Sequence, residues 1–284
     1  MNFDYFSPGK ANRLNQIFKP SKKGQYRTVL LAVDHPYYQG FVKGLDKETI
    51  RSLVPYADAV SPARGTLIHY LDPNDKTPII LRATGRTSIT RKEELSNEGI
   101  AVTAEETERL RTEYGKNIIG VSASVFIDSD HQKQTLGNLC DLVNTSSRFD
   151  HLVLGITAVG PKLEEMRKDE EAFSTYLAHS GRIIEEHGAD ILKTYYCKGF
   201  DKIREAVEIP IVIAGGKKMP ERKALQMVYR AVKAGANGGD LGRNVFKADY
   251  PIGIMQAINS IVHEGSTLKA SIELYEHLKH TRDN

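Results

Sequence analysis

Two cysteines in 284 residues, Cys140 and Cys197, are too few for a disulfide framework, and they form no zinc-like pair. No apolar run approaches transmembrane length, and the opening stretch MNFDYFSPGKANRLNQIF lacks the apolar core of a secretory signal. Basic and acidic residues, 39 and 36, are well mixed and leave a net charge of +3. With no basic run or aromatic-interleaved patch, the electrostatic footprint of a nucleic-acid binder is missing. The nine histidines contain no HExxH pattern. Asp128-Ser129-Asp130-His131 is the only local ligand-like cluster and reads as a polar loop, while His277 and His280 fall on the solvated face of a terminal helix. The expectation is a reduced, cytoplasmic, soluble protein with no bound metal or cofactor and no nucleic-acid or membrane partner.

Short apolar segments alternate with helical ones along the chain. The pattern predicts strands over 28–34, 58–62, 79–83, 118–127, 151–157, 190–194, 210–214 and 238–242. Thr103-Ala104-Glu105-Glu106 is a capping-box signal for a helix that closes near Gly115. Pro220 opens another that ends at Gly235, with proline at the start and glycine past the end. Residues 170–187 carry an apolar stripe at Phe173, Leu177, Ile183 and Ile184 and stop at Gly188. Two more helices are predicted over 251–263 and 267–279. Strict strand–helix alternation favours parallel βα units over hairpins. Eight units in a chain of this length predict one (β/α)8 (TIM) barrel domain over 1–284, with a short N-terminal extension to about residue 26. The rival, an open doubly wound sheet, usually has a glycine-rich phosphate loop after its first strand. Here that strand ends VDHPYYQG, and the glycine-rich turns follow the seventh and eighth strands instead. The polar stretch 84–99 is long enough to lie over the barrel mouth.

Catalytic groups of such barrels sit at the C-terminal ends of strands. Lys193 lies at such an end, in ILKTYY, on the same strand face as Ile191 and Tyr195. If that face points inward, the amine sits in the mouth with reduced solvation. Desolvation disfavours the ammonium form, and a neutral amine can attack a carbonyl to give a Schiff base that serves as an electron sink. The alternative is a strand-end lysine that simply reaches solvent. Asp34, ending the first strand, is a candidate acid/base or orienting partner for the lysine, or else a turn-forming aspartate. Arg64 and Arg82 are candidates to neutralise substrate charge or to pair with internal carboxylates.

The turns IAGGKK and GDLGRNVF follow the last two strands, where this fold usually binds phosphate. Glycines let the backbone approach a ligand, and a helix N-terminus offers free N–H groups to an anion. Gly215, Gly216, Gly242 and Arg243 are therefore the expected phosphate site, with Arg243 able to make a bidentate contact. Ordinary glycine-capped turns are the alternative. Cys197 lies past its strand and Cys140 within an apolar helical pattern, so neither reads as a nucleophile.

ILKTYY (191–196), IPIVIAGGKK (209–218) and GGDLGRNVFKADYP (238–251) resemble the lysine-dependent class I aldolase family, and within it a thiolase branch. The resemblance extends through LAVDHPYYQG (31–40), ARGTL (63–67), LRATG (81–85) and LSNEG (95–99) to LYEHL (274–278). It implies a (β/α)8 barrel with Lys193 as the Schiff-base residue, Asp34 as its acidic neighbour, and phosphate held at Gly215-Gly216 and Gly242-Arg243. It also implies a ring-built homo-oligomer such as a decamer. Aldolase members carry a tyrosine acid/base just after the fifth strand, whereas this chain has Thr157-Ala158-Val159-Gly160, as in the thiolase branch. Aldol cleavage needs a base to deprotonate a substrate hydroxyl, and thiolytic cleavage of a diketone does not. His35-Pro36 is a second departure, since family members usually have glycine after the Asp-His pair, and proline fixes φ there.

The reading that follows is an acyltransferase using coenzyme A as co-substrate on a phosphorylated diketone, with Lys193 and Asp34 catalytic and Arg64 and Arg82 contacting substrate. One alternative is a class I aldolase acting on a sugar phosphate such as fructose 1,6-bisphosphate. The other is a sugar-phosphate-binding barrel without catalysis.

Overall fold

The computed structural model describes residues 3–158 and 165–282. Eight parallel strands close on themselves: β1 (Tyr26–Ala32), β2 (Ala59–Ser61), β3 (Ile79–Arg82), β4 (Ile118–Val125), β5 (Leu152–Thr157), β6 (Ile191–Tyr195), β7 (Ile211–Ala214) and β8 (Gly238–Leu241). Each pairs with its sequence neighbours, and β8 pairs with β1 to complete the ring. This is the (β/α)8 barrel expected from the alternation, and each of the eight expected strands is present.

The helices used below are α1 (Pro8–Ile17), α2 (Arg64–His69), α3 (Ala104–Glu113), α4 (Gln132–Ser146), α5 (Glu170–Glu186), α6 (Glu221–Lys233), α7 (Arg243–Phe246), α8 (Pro251–Val262) and α9 (Leu268–Arg282). The Thr103 signal works as written: its hydroxyl accepts from the Glu106 N–H at 3.2 Å and α3 begins at the next residue. Pro220 is the cap of α6, and the helix proper runs from Glu221. Residues 84–99, expected as a loop, contain a small antiparallel ribbon, Thr84–Gly85 against Gly99–Ile100.

Alternation of side chains along the strands produces two apolar cores. Outward residues such as Val29, Leu31, Leu81, Val121 and Leu192 join the helices in one large cluster. Inward residues Leu30, Ala59, Ile80, Leu152, Leu154, Ile191 and Val212 form a second cluster inside the barrel. Leu14 and Ile17 of α1, with Phe18 and Phe3, belong to that inner cluster. The N-terminal extension is thus a plug over the lower end of the barrel, which its lack of strand or barrel-helix pattern did not reveal. Polar contacts fix its seat: Lys10 Nζ donates to both carboxylate oxygens of Asp190 at 2.8 Å, and Ser7 Oγ donates to Asp150 at 2.7 Å. Asp190 also accepts from the Val153 N–H at 2.8 Å, so one carboxylate ties α1 to two strands.

With the lower end filled by apolar side chains, solvated chemistry is confined to the upper end. Deleting the plug contact should loosen the whole barrel. Leu14→Ala, at a fully buried position, is expected to cost about 3 kcal/mol of unfolding free energy, read from the denaturant midpoint.

Candidate active site

The upper end of the barrel concentrates charge. Lys193 faces inward on β6, above Ile191, as parity required. In the strand register Val212 of β7 lies level with Lys193, and Ala214, one inward position higher, lies level with Asp240 of β8. The lysine stem rises past this small residue, and its Nζ donates to Asp240 Oδ2 at 2.6 Å. Ser61 Oγ on β2 donates to the same oxygen at 3.4 Å. Asp240 is buried, and its other oxygen, Oδ1, has no hydrogen-bond partner among the described residues.

Asp34 follows β1 and is bonded to Arg82 rather than to Lys193. Arg82 Nη1 donates to Asp34 Oδ2 at 3.2 Å. Its Nη2 donates to both oxygens of Glu98, at 2.7 and 3.0 Å, and to Ser124 Oγ at 2.6 Å, and its Nε donates to the Thr84 carbonyl at 2.8 Å. Every guanidinium nitrogen of Arg82 is therefore bonded within the protein, the internal-carboxylate option of the two left open above. Glu98 also accepts from Thr84 Oγ1 at 2.6 Å, and its backbone carbonyl accepts from Asn138 of α4 at 2.7 Å. The ribbon over the mouth is thereby fastened to the site through a buried ion pair.

The two carboxyls near Lys193 are pushed in opposite directions. Burial raises the Asp240 carboxyl above the usual carboxylate range; Lys193 opposes that shift, and Asp34 reinforces it. Burial acts the same way on Asp34, but Arg82, His35 and Lys193 together outweigh it and leave Asp34 below its ordinary value. His35 is buried edge-to-face against Phe246, with ring centroids 5.3 Å apart, and burial lowers its imidazole to about 4. Tyr38, with its ring 6.2 Å from His35, has its phenol raised by burial and by Asp34.

The two glycine turns meet beside this cluster. Asn244 of α7 donates to the Gly215 carbonyl at 2.6 Å and accepts from the Met219 N–H at 2.9 Å, so one buried amide spans both loops. Gly216 adopts φ +68°, the left-handed region that favours glycine, with open space where a side chain would stand. At Gly242 a Cβ would lie 2.3 Å from the His35 ring, so glycine is required for the close approach of β8 to the end of β1. Arg243 opens α7, and its Nε is buried without a partner among the described residues. Arg64, at the start of α2, forms a half-exposed ion pair with Glu106 at 2.9 Å. Among the described residues, no hydrogen bond or ion pair joins it to the Lys193 cluster.

The structure therefore gathers Lys193, Asp34, Arg82, Gly242 and Arg243 around one mouth, with Gly215 and Gly216 in the adjoining loop. The sequence reading missed Asp240 and Glu98 as site residues. Asp240 was legible in principle, since Gly238, Asp240 and Gly242 share the inward face of β8. Glu98 lies in an irregular polar stretch where no periodicity points to burial.

Comparison with known proteins shows the family. Residues 28–248 match the model of the DeoC/LacD family aldolases. The chain belongs to that family. It is 40% identical over 270 residues to an uncharacterised aldolase of Pasteurella multocida, covering 94% of this chain and 87% of that protein. It is 40% identical over 270 residues, with the same coverage, to the 3-hydroxy-5-phosphonooxypentane-2,4-dione thiolase of Escherichia coli. The thiolase of that name from Salmonella typhimurium is 39% identical over 270 residues, again covering 94% and 87%. In fold, the chain resembles an archaeal fructose 1,6-bisphosphate aldolase with a TM-score of 0.75 at 24% identity, covering 90% of this chain and all of that one. As a member of the class I aldolase family, the chain is an enzyme.

Two outcomes follow from the charges. Glu98→Ala leaves Nη2 of the buried Arg82 guanidinium without its carboxylate partner, and a loss of about 3–5 kcal/mol is expected in denaturant unfolding. His35 stays neutral in the folded protein down to about pH 4, whereas an unfolded imidazole takes its proton near 6.5. Between those values the unfolded chain binds more protons, so stability falls as pH drops through the window, by about 3 kcal/mol for this group. His35→Asn is expected to flatten that part of the stability–pH curve.

Proposed function

We propose that this family member is a thiolase that cleaves 3-hydroxy-5-phosphonooxypentane-2,4-dione with coenzyme A, giving dihydroxyacetone phosphate and acetyl-CoA. The observation that carries the proposal is the inward Lys193 amine, held against a buried carboxyl at the mouth, in a chain about 40% identical to thiolases of that name. The amine adds to the ketone next to the phosphorylated carbon, and loss of water gives a protonated imine. The coenzyme A thiolate adds to the acetyl carbonyl. Collapse of that tetrahedral centre breaks the carbon–carbon bond, and its electron pair moves into the imine to form an enamine. Protonation and hydrolysis then release dihydroxyacetone phosphate and return the lysine.

Three features support this reading. Thr157, which ends β5, and Ala158 just after it supply no phenol for deprotonating a substrate hydroxyl, as aldol cleavage would need; Val159 and Gly160 of the same motif lie outside the described residues. Cys197 is buried, and its thiol is pushed up to about 11 by burial and by Asp201, so it is a poor acyl acceptor, and transfer goes directly to coenzyme A. The Gly215-Gly216 turn and Gly242-Arg243 would hold the phosphate through backbone amides and the guanidinium, beside Lys193. Asp34, kept ionised by Arg82, stabilises positive charge on the Lys193 nitrogen. Arg82 acts by holding Asp34 in place, and Arg64 remains a candidate substrate contact.

The test is turnover of the diketone with and without coenzyme A. Acetyl-CoA and dihydroxyacetone phosphate are expected in equal amounts, and Lys193→Ala should abolish both. Cleavage that needs no coenzyme A would make the protein an aldolase. Binding of dihydroxyacetone phosphate, seen as thermal stabilisation, without turnover or adduct would leave a non-catalytic barrel.

A further inference from the structure

The Schiff-base reading leaves one step unassigned: an ammonium has no lone pair, so a lysine can attack a ketone only once a base has taken its proton. On that reading, we propose that Asp240 is a further catalytic residue, the base that takes this proton and later returns it to the departing hydroxyl. Three observations on the page single it out from the other carboxyls of the mouth. Asp240 is in direct contact with Lys193 Nζ, at 2.6 Å, a distance suited to proton transfer. Its second oxygen, Oδ1, is buried with no partner among the described residues, so a site for the acquired proton, or for the substrate hydroxyl that receives it, is already present. Asp34 and Glu98 are both engaged by Arg82, and an arginine is never a proton source.

The pKa directions agree with this division of labour. Two neighbouring titratable groups pushed apart by their surroundings mark an acid/base pair of roles. Asp240 is displaced upward, toward holding a proton, while Asp34 is displaced downward, toward staying ionised. The groups facing Asp240 are Lys193, Ser61 and, at longer range, Asp34; of these Lys193 alone carries a proton that the chemistry must move.

The step balances as follows. The Asp240 carboxylate takes a proton from the Lys193 ammonium, giving a carboxylic acid and a neutral amine. The amine lone pair forms the N–C bond, and the carbonyl π pair moves to oxygen. That oxygen is protonated, the nitrogen loses a proton, and a carbinolamine results. Asp240 then gives its proton to the carbinolamine hydroxyl, the C–O bond breaks, and water leaves with that electron pair as the iminium forms. No oxidant, reductant or co-reactant is required.

The test compares the rate of dihydroxyacetone phosphate adduct formation, trapped with saturating borohydride, in the wild-type protein and in Asp240→Asn across neutral to alkaline pH. Thermal stabilisation by dihydroxyacetone phosphate is measured in parallel. Asp240→Asn is expected to slow trapping roughly 100-fold or more at neutral pH. Its rate should climb with pH as solvent base replaces the carboxylate, while stabilisation by the ligand is kept. Asp240→Ser, which lacks the amide, should show the same profile and guards against a folding defect specific to Asn. Trapping by either folded variant at the wild-type rate overturns the proposal. A variant that loses trapping at every pH together with ligand stabilisation also overturns it, because Asp240 would then be structural. Failure of the wild-type protein itself to form an adduct would instead refute the Schiff-base reading on which the proposal rests.

Discussion

An ammonium and a carboxylate can leave water together only if each replaces part of the other's hydration. The Lys193–Asp240 contact is where this chain meets that requirement. A buried pair of this kind adds little net stability, and removing one partner is strongly destabilising because the other charge is left uncompensated. Its value lies in chemistry: a compact ammonium on a flexible stem, beside a carboxyl that burial pushes toward protonation, is a proton-transfer unit aimed at whatever enters the mouth. The rest of the barrel keeps that unit in place. Among the described residues, the apolar inner cluster and the α1 plug fill the barrel below Lys193 and Asp240, which leaves the C-terminal side as their approach.

Around this pair the remaining charges are arranged to stay fixed. Arg82 joins Asp34 to Glu98 and, through Glu98, ties the 84–99 ribbon to the barrel wall. This makes the covering segment part of the electrostatics: moving it would strip the guanidinium of its Glu98 partner. His35, neutral at working pH, fills the space that Gly242 leaves open between the ends of β1 and β8. Pro36 starts the short helical turn Pro36–Gln39, which carries Tyr38 back toward Asp34.

Much of this was legible in the sequence, and the rest was hidden for physical reasons. Strand positions could be read because each strand is a short, nearly continuous apolar run between turn signals. The placement of Lys193 could be read because period-two alternation fixes which residues share a face with Ile191. The burial of Asp240 was readable by the same parity, but an aspartate in a glycine-rich run looks like turn chemistry until its strand is seen to lie one strand beyond the neighbour of the lysine's. Glu98 and the plugging role of Leu14, Ile17 and Phe18 could not be read, since both depend on long-range contacts that no local pattern encodes. For Arg64 a strand-end position suggested a substrate contact, and in the structure its guanidinium pairs with Glu106 of α3, a partner that no local pattern foretold.

The most direct measurement is borohydride reduction of the protein in the presence of dihydroxyacetone phosphate, followed by peptide mass mapping. A reduced adduct on the peptide containing Lys193, and on no other lysine, is the expected result. Absence of an adduct when the ligand demonstrably binds, or an adduct at a different lysine, would contradict the assignment of Lys193 as the electron sink of this barrel.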